Sequence, residues 1–241
     1  RSLKKGVFVV LREALFTLQA TAFVGGDIGR PMVHYVEEIS KESVVDVKGE
    51  VVLAPTPVSG CTQKEVELKI EEIHVVSAAE TFLPLIVADA MRPDLTPEEE
   101  KREEKEGKNP TVAADTRLDH RWIDLRTPAN HGIFKIQSAV CQYFRNYLSS
   151  KGFVEIHTPK LLAGASEGGS EVFMTDYFGK PACLAQSPQL YKQMAAACGG
   201  LGRVMEVGPV FRAEKSRTHR HLCEFTGLDF EMVIKEHYYE V

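Results

Sequence analysis

The sequence predicts an α+β protein made of a strand-rich N-terminal region and a C-terminal region in which helices flank a long antiparallel hairpin. Three observations carry this. Residues 7–76 hold repeated period-two alternation of apolar and polar residues. Residues 84–115 hold four prolines (Pro84, Pro93, Pro97, Pro110) and a dense run of mixed charge. Residues 116–241 then switch to a helical period followed by two long strand patterns.

In the first region, Val7, Val9 and Leu11 alternate with Phe8, Val10 and Arg12, and Phe16, Leu18, Ala20 and Ala22 alternate with Thr17, Gln19 and Thr21. Gly25, Gly26 and Asp27 break the pattern. Met32, Tyr35, Val36 and Ile39 fall at helical spacing. Strands follow at about 43–53 and 65–76, separated by Pro55, Pro57 and Gly60. Short strands with one helix among them suit a small Greek-key barrel of the OB type. Such a barrel needs five strands; four are visible, so the missing one is expected before Arg1. The domain boundaries expected are 1–83, a connector at 84–115, and 116–241.

In the last region Thr127 and Pro128 suit a helix start. Ile133, Ile136, Val140, Phe144 and Leu148 make one helical face, and Gly152 ends it. A strand is expected at 153–158, ending at Pro159. A second helix is expected from Ser187 and Pro188 through Ala197, and a hairpin pairs about 203–212 with 221–234.

The chain carries 29 Lys and Arg against 34 Asp and Glu, a formal charge of −5. A protein whose only task is to grip nucleic acid is usually basic, so any basic surface must be local. Five cysteines without a CxxC pair read as reduced thiols in a cytosolic protein. No apolar run is long enough to span a membrane, and no signal-peptide pattern opens the chain.

The hairpin is the richest segment. On its return strand Leu228, Phe230 and Met232 share one face, expected to be core. Phe225, Gly227, Asp229 and Glu231 share the other. Arg212 ends the outgoing strand and can grip a phosphate with two prongs. An arginine beside an aromatic on a rigid sheet suits a nucleotide; an ordinary exposed hairpin is the plain alternative. In QSPQLYKQM, Gln189 and Lys192 share the first turns of a helix, where anions are favoured; a solvated polar face is the alternative. GASEGGSEVF (164–173) is a mobile loop of small residues around Ser166 and Glu167, or a plain surface turn. His219, His221 and Cys223 lack a fourth partner for structural zinc. Phe8, Arg12 and Gln19 share one face of the first hairpin, where an aromatic beside polar groups suits stacking of an unpaired base, or is a surface aromatic of no consequence.

Taken together, these segments resemble the class II aminoacyl-tRNA synthetases of the aspartyl, asparaginyl and lysyl subgroup. KGFVEIHTPKL (151–161) is similar to the family's motif 1, with Pro159 at the dimer seam. GPVFRAEKSRTHRHLCEFTGLDFEM (208–232) is similar to motif 2. GASEGGSEVF looks like the loop that closes over the amino acid. That loop, QSPQLYKQ and the EFTGLD run together most closely resemble the eukaryotic cytosolic aspartyl branch of the family.

The resemblance implies an OB-fold anticodon-binding domain followed by the first half of a class II antiparallel-sheet catalytic domain. It implies ATP and Mg²⁺, L-aspartate and tRNA(Asp), a homodimer and a cytoplasmic location. Arg212 would hold the ATP α-phosphate and the aspartate carboxylate attacking it. Glu214 would meet the adenine end, Phe225 would stack on the ring, and Arg220, His221 and Leu222 would frame ATP. Ser166, Glu167, Gln189 and Asp229 would surround the aspartate ammonium, and Lys192 would pair with its side-chain carboxylate. Phe8, Gln19 and Glu67, with Arg1 as a further candidate, match anticodon-reading positions. Glu13 and Ala14 stand where the family usually has a Gln pair. Motif 3, with the Mg²⁺ ligands and a second arginine for aspartate, is expected beyond Val241; no metal ligand is assigned within the chain. Two alternatives stay open: an asparagine or lysine substrate, and a catalytically incomplete module that binds tRNA or dimerises.

Overall fold

The computed structural model describes the chain apart from residues 1, 4, 5, 27, 94, 97, 100, 103–105, 107–110, 165–171, 217 and 219. It divides into two compact units, Arg1–Phe134 and Lys135–Val241. Both are mixtures of helix and sheet.

The first unit is built on five strands: β1 (Ser2–Leu3), β2 (Gly6–Glu13), β3 (Phe16–Phe23), β4 (Val44–Leu53) and β5 (Gln63–Ser77). Their order in the sheet is β1-β2-β3-β5-β4, with β3 and β5 parallel and the other pairs antiparallel. Beyond the four strands read from the sequence, a two-residue strand, Ser2–Leu3, pairs with β2 at the edge of the sheet. Two residues are too few to show a period. Among the described residues no β1–β4 pairing closes the sheet. The helix Arg30–Glu38 enters with a proline in its first turn, where a missing N–H costs nothing. It lays Val33 and Val36 against Val7, Ala20, Ala22, Ile70 and Ile73, and this cluster is the core. The inward residues of β2, β3 and β5 therefore alternate with Phe8, Gln19, Glu67 and Lys69 on the opposite face.

The stretch expected as a bare connector is partly packed. Leu85, Val87 and Ala90 form a small cluster with Ile123. Two buried or half-buried carboxylates brace this part of the unit. Asp124 accepts hydrogen bonds from Arg117 Nε (2.7 Å), Arg121 and Asn130 Nδ2 (2.9 Å). Glu42 accepts from Arg12 and from Arg126 Nη1 (2.8 Å). Through Glu42, Arg126 is tied to Arg12 on β2. The charged run at 98–108 lies largely outside the described residues.

The helix Pro128–Ser150 starts at the expected residue. Thr127 is fully buried, donating from its hydroxyl to Asp124 O and accepting from Asn130 Nδ2. The predicted apolar face is buried only at its far end. Leu148 and Phe144 pack with Phe153, Met205 and Met232, whereas Ile133, Ile136 and Val140 are exposed.

In the second unit β10 (Arg203–Phe211) and β11 (Glu224–Met232) form the hairpin, with β6 (Val154–Glu155) parallel to β10 on its other side. A second small sheet has the order β7 (Leu161–Leu162), β9 (Lys180–Leu184), β8 (Met174–Tyr177). The helix Gln189–Gln193 continues as one π turn, Met194–Cys198. The face of β11 expected to be core is the more exposed one: Leu228 and Phe230 are 39% and 40% exposed. The face carrying Phe225, Gly227, Asp229 and Glu231 is the more covered one, because charged side chains from neighbouring segments sit on it.

Candidate active site and base-reading cleft

The covered face of the hairpin is organised by register. Across the two strands Val210 pairs with Phe225, Gly208 with Gly227, and Glu206 with Asp229. Directly opposed residues share a face. Two glycines therefore face each other in the middle, leaving a stretch of bare backbone. The gap is tightly bounded. A Cβ at Gly227 would meet Val210 Cγ2 at 3.0 Å, and one at Gly208 would meet Glu206 Oε1 at 3.2 Å.

At one end of this floor lies Arg212, just past β10, with its guanidinium carbon 5.6 Å from the centre of the Phe225 ring. Its backbone N–H donates to Cys223 O at 2.9 Å, closing the strand pair. Beside it the loop turns back on itself. His221 Nδ1 and Thr218 Oγ1 are 2.6 Å apart, and His221 Nε2 lies 3.7 Å from Glu214. Arg220 and Leu222 are exposed.

At the other end Lys192 reaches down from its helix to bond Asp229 and lies 3.4 Å from Glu231 Oε2. Phe225 and Asp229 are four residues apart on one strand, roughly 13 Å at the usual rise. Arg212 and Lys192 thus stand over opposite ends of the same face, with the glycine pair between them. Gln189 is exposed at the start of the helix that carries Lys192. Ser166 and Glu167 lie outside the described residues, as do Arg217 and His219.

Sequence reasoning named one carboxylate here without giving it a role, and missed a second. Glu231 shares the face of Asp229 and the same lysine, a relation visible in the alternation alone. Glu206 is 3% exposed and opposes Asp229. Finding it required the hairpin register, which a loop as long as 212–223 leaves undetermined. Burial pushes the Glu206 carboxyl up. Hydrogen bonds from Lys160 and from the Thr158 N–H and hydroxyl outweigh that and hold it below the usual carboxylate range. Pro159, between those two partners, is exposed. Among the described residues no group of three His, Cys, Asp or Glu could hold a metal ion. His221 and Cys223 precede β11 instead of alternating along it. No helix is long and apolar enough to cross a membrane, again among the described residues.

In the first unit, Phe8, Gln19 and Glu67 come together in a cleft of about 540 Å³ with Val10, Phe23 and the 55–61 turn. Gln19 is central, directly opposite Val10 on one side and Glu67 on the other. It donates from Nε2 to Glu67 Oε2 at 3.1 Å. Phe8 is half-buried and held edge-on by Phe23, ring centres 5.5 Å apart. Arg12, on the same face in sequence, is tied to Glu42. Arg1 lies outside the described residues.

Residues 113–240 match the family described as tRNA synthetases class II (D, K and N). The chain belongs to that family. A cytoplasmic aspartate–tRNA ligase of Caenorhabditis elegans is 50% identical over 241 residues, all of this chain and 45% of that protein. The aspartyl-tRNA synthetase structure from Entamoeba histolytica superposes with a TM-score of 0.84 at 43% identity, covering all of this chain and 46% of that one. The Pyrococcus horikoshii asparaginyl-tRNA synthetase, solved with asparaginyl-adenylate, gives a TM-score of 0.75 at 30% identity over 96% of this chain and 47% of that one. The chain thus spans a little under half the length of these relatives.

Proposed function

We propose that this chain forms part of an aspartate–tRNA ligase, which activates L-aspartate with ATP and transfers it to tRNA(Asp). The observation that carries the reading is the single hairpin face with Arg212 and Phe225 at one end, facing glycines in the middle, and Lys192 with Asp229 and Glu231 at the other. An aminoacyl-adenylate has the matching order of groups: a flat base, a phosphate, and a small amino acid. The base lies on Phe225 with Glu214 at its edge, and Arg220, His221 and Leu222 frame the triphosphate.

Arg212 holds the α-phosphate and the attacking aspartate carboxylate in line. Attack forms the acyl–phosphate bond and expels pyrophosphate; the 3′-terminal adenosine of tRNA then takes the aspartyl group and releases AMP. Charge gathers around one phosphorus in the first step. A guanidinium already fixed by the strand end and the ring beneath it stabilises that charge without reorganising. Asp229, Gln189, Ser166 and Glu167 receive the ammonium group, and Lys192 takes the side-chain carboxylate. Asparagine is nearly isosteric, but its amide leaves the lysine poorly compensated. That loss costs roughly 1.5–3 kcal/mol, about ten- to hundred-fold in selection. The Mg²⁺ ion that the resemblance implies finds no ligand set among the described residues.

Residues 1–83 are proposed as an OB-type anticodon-binding domain whose Phe8, Gln19 and Glu67 read bases, with Arg1 beside them. Residues 84–115 are the hinge and 116–241 the first half of the catalytic domain. The strand order with its parallel β3–β5 pair supports this. A homodimer is proposed through Pro159 and the exposed Ile133, Phe134, Ile136, Val140, Tyr143 and Tyr147, a patch that a second copy would cover. The cytoplasm is the proposed location.

The test is ATP–pyrophosphate exchange by a full-length protein containing this sequence, with aspartate, asparagine and lysine in parallel. Exchange with aspartate alone is expected. Preference for either of the others overturns the substrate.

A further inference from the structure

Three candidates outside the residues assigned so far carry chemistry: the Glu42 ion pairs of the first unit, the exposed aromatic tip at Tyr177 and Phe178, and the buried carboxylate of Glu206. The first is a structural tie, and nothing indicates what would cover the second. The third connects, through residues 158–160 and Ala185, to both ends of the candidate active site.

Glu206 sits in the middle of β10, opposite Asp229, yet its carboxylate turns away from solvent. Oε1 accepts from the Thr158 N–H at 2.9 Å and Oε2 from the Thr158 hydroxyl at 2.7 Å. Lys160 Nζ lies 2.9 Å from Oε1 and also donates to Thr158 Oγ1 at 2.9 Å. One side chain therefore clamps residues 158–160 to the strand. From there the backbone continues the connection. Lys160 O accepts from the Ala185 N–H at 2.9 Å, and Ala185 O accepts from the Phe211 N–H at 3.0 Å. Ala185 is buried and stands four residues before the helix that carries Lys192; Phe211 immediately precedes Arg212.

We propose that Glu206 is a positioning residue for aspartate activation. Through the 158–160 segment and Ala185 it sets the spacing between the Lys192 helix and Arg212. The proposal rests on the functional reading above. In-line attack needs the amino acid carboxylate and the α-phosphate held together, and misplacing them by about 1 Å can cost on the order of a hundredfold in rate. A neutral amide at 206 keeps the shape but cannot hold both Lys160 and the two Thr158 donors.

The experiment uses the full-length protein with Glu206→Gln, Lys160→Met and the double variant. Two quantities are read: pyrophosphate-exchange kinetics, and hydrogen exchange at the Ala185 and Phe211 amides. Each single variant is expected to lose at least about tenfold in kcat, with KM for aspartate and ATP moving less than about threefold. The double variant should be no worse than the weaker single one, because the two residues act as one unit. The two amides should exchange faster in Glu206→Gln while those of residues 226–230 do not change. Wild-type kcat in both soluble single variants overturns the proposal. So does a loss carried entirely by KM, or a loss of kcat with unchanged exchange at 185 and 211. If Glu206→Gln fails to fold, Lys160→Met decides on the same two readouts. Should the wild-type protein fail to activate aspartate while the two amides still respond, the positioning role stands and the substrate assignment falls.

Discussion

The two sheets use opposite means to present a proposed binding face. In the N-terminal sheet the proposed face lies over an apolar core. Val7, Ala20, Ala22, Ile70 and Ile73 point inward, and Phe8, Gln19 and Glu67 stand on the outer side of the same strands. In the hairpin of the second unit the binding face is itself the covered side, and ions cover it: Lys192 over Asp229 and Glu231, Lys160 over Glu206. Core packing and the proposed recognition are separated on the first sheet and combined on the second. A single substitution should therefore affect one property in the first sheet and both in the second.

The largest effect is expected where a core residue lies back to back with the cleft. Ile70 is fully buried, and Lys69 and Glu67 point the other way on the same strand. Ile70→Ala should cost about 2–5 kcal/mol of unfolding free energy, the usual range for a buried aliphatic truncation. Glu67→Ala should change stability by under about 0.5 kcal/mol, as surface changes do. Denaturant titration of both variants checks this. Comparable losses would mean that the outer face of the sheet is structural.

On the hairpin face, Lys192→Met removes the cation between two carboxylates. Aspartate kcat/KM should fall about ten- to hundred-fold, equivalent to the roughly 1.5–3 kcal/mol of a charge-assisted bond. KM for ATP should stay within about threefold, and melting temperature should drop as well. Unchanged aspartate kinetics would remove Lys192 from the site.

Periodicity made the inward face of β2, β3 and β5 readable because that face is buried by elements within the same unit. It misled on β11. Leu228 and Phe230 look like core residues, and by composition they are; the structure leaves them half-exposed and covers the polar face. Alternation reports which residues share a side, and says nothing about which side is covered. The same limit applied to the helix Pro128–Ser150, where Ile133, Ile136 and Val140 match the period and remain exposed. Individual chemistry was legible where a residue stands beside its partner on the same hairpin, as with Arg212 over Phe225. Glu206, Lys160 and the Gly208–Gly227 pair depend on register across a long loop and on contacts between residues about 48 positions apart. Nothing local in the chain marks them.

Phe8→Ala tests the first sheet's recognition face directly. Stacking of one base on an aromatic is worth about 1–3 kcal/mol. Charging should weaken by about tenfold or more in KM for tRNA, with aspartate activation and melting temperature near wild type. If tRNA affinity is retained, the edge contact with Phe23 is the ring's whole role.

The smallest effect is expected from one of the first unit's paired ions, Glu42. Burial pushes the Glu42 carboxyl up, but hydrogen bonds and charges from Arg126 and Arg12 outweigh it and hold the pKa below its ordinary 4.5. A group with a lowered folded pKa contributes stability above its unfolded pKa and loses it as pH falls through the folded one. Glu42→Gln should therefore lower the melting temperature at pH 7, and the gap to wild type should close as the pH drops below about 4.5. The two arginines keep partial access to water, with side chains 26% and 35% exposed, so neither is stranded. The cost should sit near the low end of the roughly 1.5–3 kcal/mol for bonds to charged groups. Melting curves from pH 7 to 3 decide it. A gap that persists at pH 3 would show that Glu42 acts through its shape and backbone turn and not through its charge.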